Sequence, residues 1–164
     1  MLVYTKTHRG LVRASNQDNL LLVDQVYGVA DGMGGHNGGE TASRMAVHVL
    51  TSALKGKSPQ EHALKIALEA ANRRIYEMGR QDPKLSGMGT TLTLLWEEEN
   101  RMWIGHVGDS RAYLLRKKKL TRQTEDHSMV AELLKNKLIT PQMAASHPYR
   151  NVITKALGID PIVE

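Results

Sequence analysis

Asn19-Leu-Leu-Leu-Val23, Asp24-Gln25 and Val26-Tyr-Gly-Val-Ala30, running into Asp31-Gly-Met-Gly-Gly35, form the stretch whose reading decides the fold. Two short apolar runs separated by two polar residues predict a β-hairpin with a tight turn. The hairpin ends on Asp31. Five glycines then fall between Gly32 and Gly39, after which Ala42, Met45, Ala46, Val49, Leu50 and Ala53 recur at helical spacing and stop at Gly56. The glycine loop therefore opens a helix.

Working outward, Ser58-Pro-Gln-Glu61 predicts a second helix start, with the serine as cap, proline at the first helical position and glutamate completing a capping box. Its apolar stripe of Leu64, Ala67, Leu68, Ala71, Ile75 and Met78 ends at Gly79. From Thr90 the period changes to two, with Leu92, Leu94 and Trp96 alternating with their neighbours before a polar turn at Glu97 to Asn100. Met102 to Val107 returns as a strand, Gly108-Asp-Ser110 turns, and Arg111 to Leu115 pairs through a lysine turn with Leu120 to Arg122. Such local connections imply antiparallel pairing. Ser128 to Asn136 reads as a helix, Thr140-Pro-Gln142 as another capped start, and Asn151 to Leu157 as an element of open type. Strand pairs with segregated helices give an α+β fold rather than a doubly wound sheet.

The chain of 164 residues fits one domain, and 41% hydrophobic with 24% charged residues excludes a disordered polypeptide. No apolar run is long enough to span a bilayer and the N-terminus has no leader pattern, so we expect a cytoplasmic protein without a membrane partner. The absence of cysteine removes disulfides, thiolate zinc sites and cysteine-nucleophile chemistry. The net charge of +5 is dispersed except for Arg116-Lys-Lys-Lys119, which a charged hairpin turn explains better than a nucleic-acid surface.

The glycine loop lacks Gly-Lys-Ser/Thr and the Gly-x-Gly-x-x-Gly pattern, so nucleotide binding loses its main support. Its distinctive feature is Asp31 at a strand end followed at once by Gly32, where a carboxylate and an unobstructed backbone carbonyl can approach one cation. Asp109 repeats the pattern after Val107-Gly108, and Asp18 precedes the hairpin. Singly these are ordinary turn aspartates. Together they suit a hard cation with oxygen ligands, magnesium or manganese. Ser110, in Gly108-Asp-Ser-Arg-Ala112, also admits a serine-hydrolase reading, although the second glycine of a nucleophile elbow is absent.

Arg13-Ala-Ser-Asn-Gln-Asp18, Val29-Ala-Asp-Gly-Met-Gly-Gly-His36, Gly87-Met-Gly-Thr-Thr91, His106-Val-Gly-Asp-Ser-Arg-Ala-Tyr113 and Leu120-Thr-Arg-Gln-Thr-Glu-Asp-His-Ser128 follow one another in order. In that order they resemble the motifs of the bacterial PPM (type 2C) metal-dependent serine/threonine phosphatases, and His147 to Gly158 matches a further family segment. The resemblance implies an αββα sandwich of two antiparallel sheets flanked by helices, with a pair of Mn2+ or Mg2+ ions, or three, at one end. It implies that Asp31 bridges two metals, Gly32 offers its carbonyl, Asp18 supports the metal shell, Asp109 serves a looser third metal and Arg13 binds the substrate phosphate.

The implied reaction is hydrolysis of phosphoserine or phosphothreonine by a metal-activated water, with phosphorylated proteins as substrates and a serine/threonine kinase and its targets as partners in bacterial signalling. Two departures stand out. Met33 occupies the place where some members carry a histidine proposed as general acid, the next histidine being His36. The family's Ser-Asp-Gly and Asp-Asn motifs, each a metal ligand, would follow Glu164, so we expect the domain over residues 1–164 to be incomplete at its C-terminal part. An inactive phosphoprotein-binding relic of the same fold is the alternative.

Overall fold

The computed structural model describes residues 2–35 and 38–163. His36, read above as a loop or capping residue and the histidine nearest the Asp-Gly pair, lies outside them.

Strands β1 (Asp18–Val23) and β2 (Val26–Met33) form the expected antiparallel hairpin. Asp24 adopts φ 48° in its turn, and its carboxylate accepts the Gly56 N–H at 2.8 Å. That bond fastens the turn to the end of helix α1 (Gly38–Leu54). β2 does not stop at Ala30. It continues to Met33 because Gly32 and Met33 pair with a two-residue strand, β3 (Gly89–Thr90), which local sequence cannot reveal.

Helix α1 buries Ala42, Ala46, Leu50 and Leu54, one stripe at a spacing of four. Helix α2 (Glu61–Gln81) buries Leu64, Ala67, Ala71 and Ile75 against it. The expected cap at Ser58 is not made: Gln60 holds the N-cap position, extended and without a side-chain cap bond. Ser58 and Pro59 lie more than a turn from the first buried side chain, Leu64, so no packing rewards a turn begun there. Nor does Gly79 end the helix. A Cβ there would lie 3.2 Å from the Leu85 carbonyl oxygen, so this glycine admits the 3-10 turn Pro83–Leu85 rather than stopping α2.

Strands β4 (Leu92–Glu98) and β5 (Arg101–Val107) complete an antiparallel sheet in the order β1-β2-β4-β5, with β3 beside the end of β2. One face, carrying Leu21, Leu92, Leu94 and Trp96, packs on the two helices. The opposite face presents the cross-strand neighbours Leu20–Val29, Leu22–Tyr27 and Leu95–Ile104, of which Leu22 is 51% and Val29 43% exposed. The N-terminal residues Leu2 to Lys6 and the stretch Arg111 to Tyr113 flank a groove on this open face.

The second antiparallel sheet is a ribbon of β6 (Tyr113–Arg116) and β7 (Lys119–Arg122). Lys117 and Lys118 both take positive φ, the two-residue turn whose twist matches paired strands. β6 begins two residues later than expected because Arg111 bonds Asp126 and the Ala112 N–H donates to Thr124 Oγ1. Ser128 caps α3 (Met129–Lys135) through the Ala131 N–H, and Thr140 caps α4 (Pro141–Ala145) through that of Met143. Residues 151 to 157 form no regular element, only the single bridges Ser128–Ile153 and Thr90–Leu157. Among the described residues no helix is long and apolar enough to cross a membrane. The α+β class and the antiparallel sheets agree with the sequence reading.

Candidate active site

The β1–β2 register places Asp18 directly opposite Asp31. Opposed residues share a face with Cβ atoms about 5 Å apart, and like charges there repel. The pairing is nonetheless built in from both sides. Asn16 Oδ1 accepts the Asp18 N–H at 3.1 Å and its Nδ2 donates to Thr7 Oγ1 at 2.8 Å, while that hydroxyl donates to Asp18 Oδ2 at 3.0 Å. Behind Asp31, Thr91 Oγ1 accepts its N–H at 3.1 Å, and its carbonyl accepts the Thr91 N–H at 2.9 Å and the Thr90 hydroxyl at 3.0 Å. Both backbone groups of Asp31 are thus fixed by the Thr-Thr pair.

The consequence is electrostatic. The Asp31 carboxyl is pushed up to about 6, first by loss of hydration, then by the neighbouring Asp18, and less by Asp109, with Arg13 opposing. Two carboxylates held together at a cost, with a backbone-rich loop beside them, form an oxygen-donor set that fits a hard divalent cation.

Gly32 follows in β2 where two backbone segments approach closely. A Cβ at this position would sit 2.0 Å from the Gly39 carbonyl oxygen, so only glycine lets the start of α1 lie against β2. The Gly32 N–H donates to Gln17 O, and the buried Ser43 hydroxyl donates to the same carbonyl at 2.6 Å. Helix α1, strand β2 and the segment entering β1 are drawn together at one point.

A cleft of about 610 Å³ opens there, lined by Arg9, Arg13, Asp18, Asp31, Gly32 and Met33 among others. Arg13 is exposed and its charge reaches Asp31. Four of the five sequence candidates are thus brought together. Asp109 is not in the lining: it turns off the end of β5, two strands away from β2. Its charge nonetheless reaches Asp31. Among the described residues no three His, Asp or Glu side chains converge as a ready metal cage.

Ser110 does not look like a nucleophile. Its hydroxyl is paired with Thr91 Oγ1 at 2.9 Å, and the nearby His106 spends its ring nitrogens on Thr93 Oγ1 and the Glu125 carbonyl. Among the described residues no base is hydrogen-bonded to the Ser110 hydroxyl.

The sequence of residues 8–153 matches the family profile described as Protein phosphatase 2C. The chain belongs to the protein phosphatase 2C family. It is 40% identical over 154 residues to the Mycobacterium tuberculosis serine/threonine protein phosphatase PstP, covering 93% of this chain and 30% of that protein. It is 38% identical over 170 residues to the Listeria monocytogenes serine/threonine phosphatase stp, covering 97% and 68%. A crystal structure of the M. tuberculosis enzyme superposes with TM-score 0.88 at 41% identity, covering 97% of this chain and 68% of that one. A catalytic domain of PstP in complex with two manganese ions superposes with TM-score 0.83 at 38% identity, covering 96% and 66%. The chain thus spans less than a third of the length of full PstP.

Within this protein phosphatase 2C framework the sequence reading missed the supports. Asn16 and Thr7 orient Asp18, and Thr90 and Thr91 hold Asp31. Asn16 sits two residues before Asp18, a spacing that signals an Asx turn. Nothing local foretells Thr7, eleven residues upstream of the carboxylate it bonds.

Proposed function

We propose that this chain forms the metal- and phosphate-binding part of a protein serine/threonine phosphatase that hydrolyses phosphoserine and phosphothreonine in phosphorylated proteins. The observation that carries it is the direct pairing of Asp18 with Asp31 at a cleft that Arg13 also lines. Asp18, Asp31 and the Gly32 carbonyl are the groups that would hold manganese or magnesium, with Asp109 acting from the neighbouring turn. A bound cation would neutralise phosphoryl charge and activate water.

The chain's own groups then have separate tasks. Arg13 presents a planar fork of donors that suits two phosphoryl oxygens at once. Thr90 and Thr91 hold the Asp31 backbone at the strand end from which its carboxylate projects. Met33, at the cleft's edge, contributes no proton. In this reading the leaving alkoxide draws its proton from water. The same reading makes a serine/threonine kinase and its substrates the partners, in the cytoplasm.

The test is phosphate release from a phosphothreonine peptide across a manganese titration. In a protein extended by the Ser-Asp-Gly and Asp-Asn motifs we expect release that requires manganese, is lost in Asp31→Ala, and shows a KM raised about tenfold or more in Arg13→Lys, from the loss of one charge-assisted bond, with little or none from the 164-residue chain. Release that persists in excess chelator would refute the mechanism.

A further inference from the structure

The Gly108–Asp109 turn is held from outside the cleft by a residue the mechanism does not use. Gly108 has φ +108°, and a Cβ there would fall 2.6 Å from the Cβ and Cγ2 of Thr91. The turn is therefore pressed onto the threonine that accepts the Asp31 N–H, and Ser110 bonds the same threonine's hydroxyl. Both backbone polar groups of Gly108 go to one residue, His127. The Gly108 N–H donates to His127 Nδ1 at 3.1 Å, and the His127 N–H donates to the Gly108 carbonyl at 2.8 Å.

His127 is itself anchored on several sides. Its ring stacks on His106, centroids 5.0 Å apart and planes inclined by 30°. The His127 carbonyl accepts the Thr154 N–H at 2.9 Å, Ser128 caps α3, and Asp126 pairs with both Arg111 and Arg122. Because Nδ1 accepts from a backbone N–H, the ring proton must sit on Nε2. Burial, and then the charge of His106, hold His127 below the ordinary histidine range, which keeps that lone pair free near neutrality.

We propose that His127 is a positioning residue for Asp109: by clasping Gly108 at both backbone groups it fixes the turn that aims this carboxylate toward the Asp31 site. The proposal rests on the reading that Asp109 serves the metal site. It calls for a side chain with an acceptor one bond beyond Cγ, which asparagine also supplies and alanine does not.

The test compares His127→Ala, His127→Asn and Asp109→Ala in the whole chain by nitrogen-15 NMR, amide exchange and manganese titration. The parent should show the Nε2–H tautomer at His127. His127→Ala should speed exchange at the Gly108 amide at least tenfold with no change at Leu50, and should weaken manganese binding about tenfold; Asn should restore both to within threefold. Combined with Asp109→Ala, the loss of manganese affinity should not add. The proposal is overturned if Ala leaves manganese binding unchanged, or if Asn is as impaired as Ala. If Asp109→Ala alone leaves manganese binding unchanged while Asp31→Ala abolishes it, the role of Asp109 fails and the proposal with it, and the Asp31 site stands.

Discussion

Asp31 would be better off uncharged in the metal-free fold. Its pKa of about 6 lies above the 3.8 of a free aspartate. An acid whose pKa is raised by folding binds more protons in the native state between those two values, so the native state loses stability as pH rises through that window. We therefore predict that in chelator the stability of Asp31→Asn relative to the parent rises from pH 4 to pH 6, and that this variant melts higher at pH 7. The same substitution should remove stabilisation by manganese. Thermal melts across pH, with and without manganese, check both signs. Affinity of the parent for manganese should also fall below about pH 6, where protons compete for Asp31.

At the scale of elements, the contact between β2 and the N-terminal end of α1 depends on one glycine of the run and not on another. Gly32 has the Gly39 carbonyl where a Cβ would go, while among the described residues a Cβ on Gly35 meets nothing within 4 Å. Gly32→Ala should cost about 3 kcal/mol, the upper end of ordinary overpacking, or prevent folding. Gly35→Ala should change urea stability by less than about 0.5 kcal/mol. Equal effects at the two positions would mean the close approach does not govern this packing. The contrast was invisible in the glycine-rich run itself, because which glycine is crowded depends on where Gln17 and Gly39 come to lie.

Across the whole molecule, what was legible in sequence was local. Periodicity gave α1 and the strands, and short-range chemistry gave the Ser128 and Thr140 caps and the lysine turn. Partnerships across long stretches of chain were not legible: the Gly32–Met33 pairing with β3, the position of β5 two strands from β2, and the clasp of His127 on Gly108. Asp18 and Asp31 were found as candidates, but their direct opposition follows from hairpin register, which puts the two carboxylates on one face. Asn72 is another such long-range tie. It is buried in α2, accepts the Gly158 N–H at 2.8 Å and donates to the Asp160 carbonyl at 2.9 Å. Asn72→Ala would strand a buried donor and should cost about 1–3 kcal/mol in urea unfolding, a loss checked against the surface variant Arg73→Ala.

The claim that joins these scales is that Asp18 and Asp31, paired across β1 and β2, hold a divalent cation. Anomalous diffraction from crystals of this chain grown with manganese tests it directly. The account predicts an anomalous peak within about 2.5 Å of an Asp31 carboxylate oxygen, with Asp18 beside it and Arg13 at the rim, and no peak there in Asp31→Asn. Manganese bound elsewhere with the Asp18–Asp31 pair bare, at concentrations that support phosphate release, would contradict it.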